Sequence, residues 1–249
     1  MTVDVERVEQ PEWLTNSYLV HEGPGGKGIL IDGNGHLGEL VETARGQGIE
    51  ITHLFLTHEH WDHVVDAGEV AAELGIPVLA SPGTAPLLDF PVTEIKPGQA
   101  VTTGGLTIEA IDSPGHSDGH LAFLVNGTDL FTGDTLFAGT IGGTMLPGQT
   151  GLEEMRESVM ERMMTLAPET RVHPGHSDPS TIGTELEGNA FVRIWQGVDP
   201  ESSEPCTVAD RGEATLILWA PDYDGTNKAW VRFPDGSEGI VGGSQVTRG

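Results

Sequence analysis

Apolar positions recur in two rhythms over the first 195 residues. Ser17-Tyr18-Leu19-Val20 and Gly28-Ile29-Leu30-Ile31-Asp32 read as two short strands. Gly23-Pro24-Gly25-Gly26-Lys27 lies between them and predicts a hairpin turn. A phosphate cradle would need Ser or Thr after the lysine, opening a helix, and here Gly28-Ile29-Leu30 follows. Leu37, Leu40, Val41 and Ala44 at helical spacing predict a helix over 37–46. His53-Leu54-Phe55-Leu56 is a short apolar strand, and Val64 to Leu74 a helix stopped by Gly75 and Pro77. Strands follow at 76–80, 101–103, 106–111, 121–125 and 129–132. A longer helix is expected over 151–166, with Leu152, Met155, Val159, Met163 and Leu166 as its core stripe. Glu153 and Glu154 open it, where carboxylates favour the helix dipole. A strand at 170–173 and a helix at 182–195 complete the series.

Strands interleaved with helices predict an α/β architecture in which helices cover sheet faces. The composition changes at Val198-Asp-Pro-Glu-Ser-Ser-Glu-Pro-Cys206, read as a linker. Beyond it, 214–219, 228–233 and 238–246 are strand-like, with turns at Asp222-Tyr-Asp-Gly225 and Pro234-Asp-Gly-Ser237. The chain therefore divides into a main domain, 1–198, and a small all-β extension, 199–249. A piece of about 45 residues is near the lower limit for folding alone, so the extension is expected to dock on the main body. Trp219 and Trp230 are expected to fill its small core.

Charge narrows the partners. Twelve basic side chains face 38 acidic ones, a formal charge of −26. That balance excludes a nucleic-acid binder or a protein held to anionic lipid, both of which need clustered Lys and Arg. No run approaches the length of an apolar membrane span. Met1-Thr-Val-Asp-Val-Glu6 has neither a basic start nor an apolar stretch, so no secretory signal is expected. The single cysteine, Cys206, cannot make an internal disulfide, and a cytoplasmic setting is expected.

The chemistry-bearing signal is Thr57-His58-Glu59-His60-Trp61-Asp62-His63, directly after a strand end. Imidazoles are costly to crowd unless something accepts their lone pairs, and a divalent metal does so. His58, His60, Asp62 and His63 could feed two ions. Ser113-Pro-Gly-His116, Thr132-Gly-Asp134 and Pro174-Gly-His176 repeat the placement, each just past a strand on a glycine-bearing loop. His53 and His173 are expected to pack, and His21 and His36 to lie at the surface near turns.

These motifs resemble those of the metallo-β-lactamase-fold hydrolases, and among them glyoxalase II and its shorter relatives. The matching segments are His58-x-His60-x-Asp62-His63, Pro114-Gly-His116-Ser-Asp-Gly-His120, Phe131-Thr-Gly-Asp134-Thr-Leu-Phe137 and Gly175-His176 with Ser180-Thr-Ile-Gly183-x-Glu185. They span about residues 15–195. The resemblance implies an αββα sandwich with two divalent metal ions, zinc first, with iron or manganese as alternatives. His58, His60 and His116 would hold the first ion, Asp62, His63 and His176 the second, and Asp134 would bridge them. A hydroxide activated between the ions would then attack the carbonyl of a small acyl substrate, a thioester such as a hydroxyacylglutathione, or a lactone. Asp62 would also shuttle a proton. His120 is placed at the catalytic site, orienting a ligand or touching substrate, with a merely packed role the alternative.

The sequence departs from that pattern in one place. The shorter relatives read Gly-Arg-Thr-Asp where this chain has Gly142-Gly143-Thr144-Met145, which removes an Arg and an Asp from the site mouth. With a charge of −26, a small neutral or weakly anionic substrate is favoured over a polyanion. Two alternatives remain open: a mononuclear iron persulfide dioxygenase on the same fold, and a non-catalytic binding protein working through the extension. No oligomeric state is assigned.

Overall fold

The computed structural model describes residues 3–249, so the first two residues of the segment read for a signal lie outside it. The first sheet contains β1 (Asp4–Glu9), β2 (Asn16–His21), β3 (Lys27–Ile31), β4 (Glu50–Phe55), β5 (Val78–Ala80) and β6 (Thr93–Glu94), side by side in chain order. There follow β7 (Ala100–Thr103), β8 (Leu106–Asp112), β9 (Leu121–Val125), β10 (Asp129–Gly133), a small hairpin of β11 (Leu136–Phe137) and β12 (Thr140–Ile141), then β13 (Arg171–Pro174) and β14 (Ser180–Thr181). The second sheet runs β14-β13-β10-β9-β8-β7. The helices are α1 (Leu37–Gln47), α2 (Trp61–Val64), α3 (Ala67–Leu74), α4 (Leu152–Glu157), α5 (Ile182–Gly188) and α6 (Ala190–Trp195).

Strand alternation assigns the layers. Tyr18, Val20, Ile29, Ile31 and Phe55 of the first sheet meet Ile108, Leu121, Phe123, Val125 and Phe131 of the second in one core between the sheets. The intervening Leu19, Leu30, Leu54 and Leu56 turn outward onto α1 and α3. On the second sheet, Ala122, Leu124, Leu130 and Val172 turn outward onto α4, α5 and α6. With both faces covered, these strands read as unbroken apolar runs rather than alternating ones. The result is an αββα sandwich. Each fully buried Phe or Leu stabilises it by about 1.5–3 kcal/mol.

The extension is a five-stranded sheet of β15 (Glu204–Val208), β16 (Gly212–Pro221), β17 (Asn227–Arg232), β18 (Glu238–Gly242) and β19 (Val246–Arg248), in the order β18-β17-β16-β15-β19. One face is closed on itself by Cys206, Val208, Leu216, Val231 and Val241. The other sends Ile217, Ala220, Trp230 and Ile240 into the core shared with α4 and α6.

Several expectations are corrected. Residues 204–208 form a strand, not linker, and Cys206 is buried in it. Trp230 packs against the main body, 6.2 Å from Trp195, whereas Trp219 packs on the extension's own core beneath Arg248. The helix expected over 64–74 is two pieces, α2 and α3, broken because Asp66 turns its carboxylate to Leu37 N–H at the start of α1 (2.9 Å). The helix expected over 151–166 widens after Glu157 into a π-helical stretch, Ser158–Met163, which keeps Val159 and Met163 buried. The helix at 182–195 breaks at Asn189, whose side chain caps α6. His21 is buried, its Nδ1 accepting from Gly23 N–H (3.1 Å), and His36 is half-exposed beside Glu39. His173 stacks on Phe131 and His53 lies near Phe55, so both pack as expected.

Candidate metal centre

Four strand ends converge here. β8, β10 and β13 run in one direction in the second sheet, and β4 ends beside them from the first. Past these ends lie His116, Asp134, His176 and the run His58–His63. His60 is extended, and the turn His63 N–H to His60 C=O (2.9 Å) starts α2, which returns Asp62 and His63 toward the site. Gly175 is required at the β13 end. A Cβ there would fall on Asp134 Oδ1 and lie 2.7 Å from His63 Cε1.

Two groups of ligand atoms result. His58, His60, His116 and Asp134 form one, and Asp62, His63 and His176 the other, with the ligand atoms of each group within 4.8 Å of one another. Asp134 reaches both: Oδ1 is 3.2 Å from His63 Nε2, and Oδ2 is 3.3 Å from His116 Nε2 and 3.4 Å from His176 Nε2. Asp62 Oδ2 lies 3.7 Å from His63 Nε2 and 3.6 Å from His176 Nε2, and accepts from Thr15 Oγ1 at 2.7 Å. All seven candidate ligands are thus brought together.

The surrounding acceptors decide how each imidazole is protonated. Gly143 C=O and Leu14 C=O can only accept, so His116 and His176 donate from Nδ1 (3.0 Å each). Thr57 Oγ1 donates to Asp32 Oδ2 (2.8 Å), so it accepts from His58 Nδ1–H at 3.0 Å. Asp32 Oδ2 also lies 3.0 Å from His63 Nδ1. The Nε2 atoms of His58, His63, His116 and His176 therefore point inward. Among the described residues, His58 Nε2 is buried with no hydrogen-bond partner, while His63 Nε2 and Asp134 Oδ1, 3.2 Å apart, have only each other. Buried lone pairs without donors are costly, and divalent cations satisfy them. The residues fit a metal centre, and each ligating ring is oriented through its other nitrogen.

Electrostatics distinguish the rings. Burial pushes His58 well below the ordinary imidazole range and carries His116 to about 4, leaving both neutral. Burial opposes charge on His63 too, but Asp134 and Asp32 outweigh it and raise this ring well above that range. Burial would raise Asp134, yet His176 and His63 hold its carboxyl well below the carboxylate range.

His120 takes the ligand-orienting one of the roles expected for it. It is fully buried, and neither ring nitrogen is free for substrate. Nε2 accepts from Asp134 N–H (3.0 Å), so Nδ1 carries the proton and donates to Ser113 Oγ (2.8 Å). Burial keeps it neutral. It orients Asp134 from behind.

Sequence reasoning missed three supports. Asp32 sits at φ +57°, a conformation costly for a side-chain-bearing residue, and from there holds Thr57 N–H, Thr57 Oγ1 and His63. The run Asp32-Gly-Asn-Gly after a strand was its signal. Thr15, which engages Asp62, and Tyr223, which stacks on His176 with ring centroids 4.5 Å apart and planes 12° apart, carried no local signal.

Comparison with known proteins fits this geometry. The family model of the metallo-beta-lactamase superfamily matches residues 11–176. The chain belongs to the metallo-beta-lactamase superfamily. Within that superfamily, a hydroxyacylglutathione hydrolase of Fuscovulum blasticum is 33% identical over 239 residues, covering 90% of each chain. ETHE1 from Myxococcus xanthus superposes with a TM-score of 0.67 at 27% identity, over 77% of this chain and 84% of that one. TTHA1623, solved in a di-iron-bound form, gives 0.65 at 32% identity, over 75% and 99%. This superfamily member has hydrolase relatives and a His/Asp cluster suited to divalent metal.

Proposed function

We propose that this chain is a dinuclear metallohydrolase of a small acyl substrate, a thioester of the hydroxyacylglutathione type or a lactone. The observation that carries the reading is the convergence of four inward Nε2 atoms on two carboxylates, with His58 Nε2 buried and without any donor. His58, His60, His116 and Asp134 would hold one ion; Asp62, His63 and His176 the other, with Asp134 shared. Zinc is the first choice. Ions bound there supply Lewis acidity and bring the pKa of water to about 7, within reach of neutral pH.

The chain's own residues do the rest. Asp32 and Thr57 orient His63 and His58 through their Nδ1 atoms, and His120 orients Asp134. Asp62 is the carboxylate of the site with solvent access, its side chain 26% exposed, and it moves the proton between the reacting group and water. Gly143 and Met145 leave the mouth without the usual Arg and Asp. Lys228, 5.3 Å from the Tyr223 ring, is already paired with Asp222 at 3.1 Å. A neutral or weakly anionic acyl group suits that mouth better than the carboxylates of glutathione. The single cysteine and the absence of clustered cations fit a cytoplasmic enzyme of small molecules.

A second reading, a mononuclear iron dioxygenase acting on a persulfide, is favoured by the likeness to ETHE1 from Myxococcus xanthus. Assay of the zinc- and iron-loaded forms on thioesters, lactones and β-lactams, with oxygen uptake on a persulfide, separates the two. Hydrolysis without oxygen uptake supports the hydrolase; uptake with no hydrolysis supports the dioxygenase.

A further inference from the structure

The geometry points to the C-terminal extension as a wall of the site, with Tyr223 setting the size of the acyl group admitted beside His176. This rests on the metallohydrolase reading and adds a substrate class to it: short, unbranched acyl groups.

The extension touches the site in two places. Tyr223 lies on the β16–β17 turn, face to face with the His176 ring and edge-on to Phe137, whose centroid is 5.2 Å away. His176 is thereby covered on the face that Tyr223 occupies. The second contact is at the opposite ligand group. Thr144 N–H donates to Ile240 C=O (3.0 Å), and Ile240 N–H returns a bond to Thr144 Oγ1 (2.9 Å). That clasp secures the loop whose Gly143 C=O fixes His116. The loop carries Gly143 and Met145 in place of Arg and Asp, and is strapped to β18 of the extension instead.

The turn bearing Tyr223 is held firmly. Asp222 N–H donates to Thr226 C=O (3.1 Å), and Gly225 N–H to Asp222 C=O (3.2 Å). The buried Lys228 ammonium then ties Asp222 (3.1 Å) to Ile141 C=O (2.9 Å) of the main body, while lying 5.2 Å from the Phe137 ring. A buried cation with a carboxylate, a carbonyl and two aromatic faces as partners has little freedom to move. Tyr223 is a fixed wall rather than a mobile side chain. Its hydroxyl makes no hydrogen bond among the described residues, so the ring rather than the hydroxyl forms the barrier.

The test uses the full chain loaded with cobalt, whose absorption reports ligand binding without turnover. Acetate and benzoate are titrated into wild type, Tyr223→Phe, Tyr223→Leu and Tyr223→Ala, with metal content measured for each. We expect Tyr223→Ala and Tyr223→Leu to bind benzoate relative to acetate about tenfold better than wild type, as filling or clearing an apolar pocket commonly does. Tyr223→Phe should keep the wild-type ratio, and cobalt stoichiometry should hold. An unchanged ratio in both truncations, or a ratio that moves only with loss of metal, overturns the inference. Acetyl and benzoyl thioesters of a simple thiol, assayed alongside, separate the two claims. If wild type cleaves neither, the hydrolase reading fails while the affinity ratio still reports the wall.

Discussion

Asp32 Oδ2 stands 3.0 Å from His63 Nδ1, a bond from the end of β3 to the first turn of α2. The same oxygen receives Thr57 Oγ1, which in turn orients His58. One carboxylate thereby governs a ring in each ligand group. Asp32→Asn keeps the shape and removes the charge, and should weaken metal affinity about 10–100-fold. Chelator competition measures it. Affinity equal to wild type would remove Asp32 from the centre's support.

Gly175 leaves no space for a methyl group. In Gly175→Ala the new Cβ meets Asp134 Oδ1 and His63 Cε1, and one of the two side chains must move. The expected result is loss of at least one metal per chain and a destabilisation of about 1–3 kcal/mol from overpacking. Metal analysis alongside thermal melting checks both. Full metal content in a stable variant would contradict the assigned crowding.

Away from the metal, Asp129 predicts how the fold responds to acid. Burial opposes its charge, but hydrogen bonds from His173 (2.9 Å), Arg171 and Thr128 prevail and hold its carboxyl below the ordinary 3.8. A carboxyl lowered in the fold stabilises it above the unfolded value, and that stability is lost as pH falls through the folded value. Asp129→Asn should therefore cost about 1–3 kcal/mol at neutral pH and flatten the loss of stability below pH 3.8. Urea melts at several pH values read this out; parallel curves for variant and wild type would count against it.

Much of this was legible in the sequence, for physical reasons. Strands buried on both faces read as apolar runs, so β2, β3, β9 and β10 stood out. Ligands placed just past strand ends on glycine loops announced a rim. The elements that escaped notice lack that apolar signal. β1 is an edge strand with Asp4, Glu6, Arg7 and Glu9 among its six residues, and β15 carries Glu204 and Pro205, which read as linker. The helix breaks at Asp66 and Asn189 come from side chains serving other elements' ends, a tertiary demand that periodicity does not register. Tyr223 escaped for the same reason: a turn residue acquires its role only when the extension docks.

The central claim is two metal ions sharing Asp134, and it is tested most directly by metal stoichiometry. Protein expressed with zinc, iron and manganese supplied should carry close to two ions per chain by elemental analysis. Asp134→Ala should lose at least one of them and all hydrolysis of thioesters and lactones. No bound metal in the wild type, a single iron per chain with oxygen uptake on a persulfide, or undiminished turnover in Asp134→Ala would contradict the account.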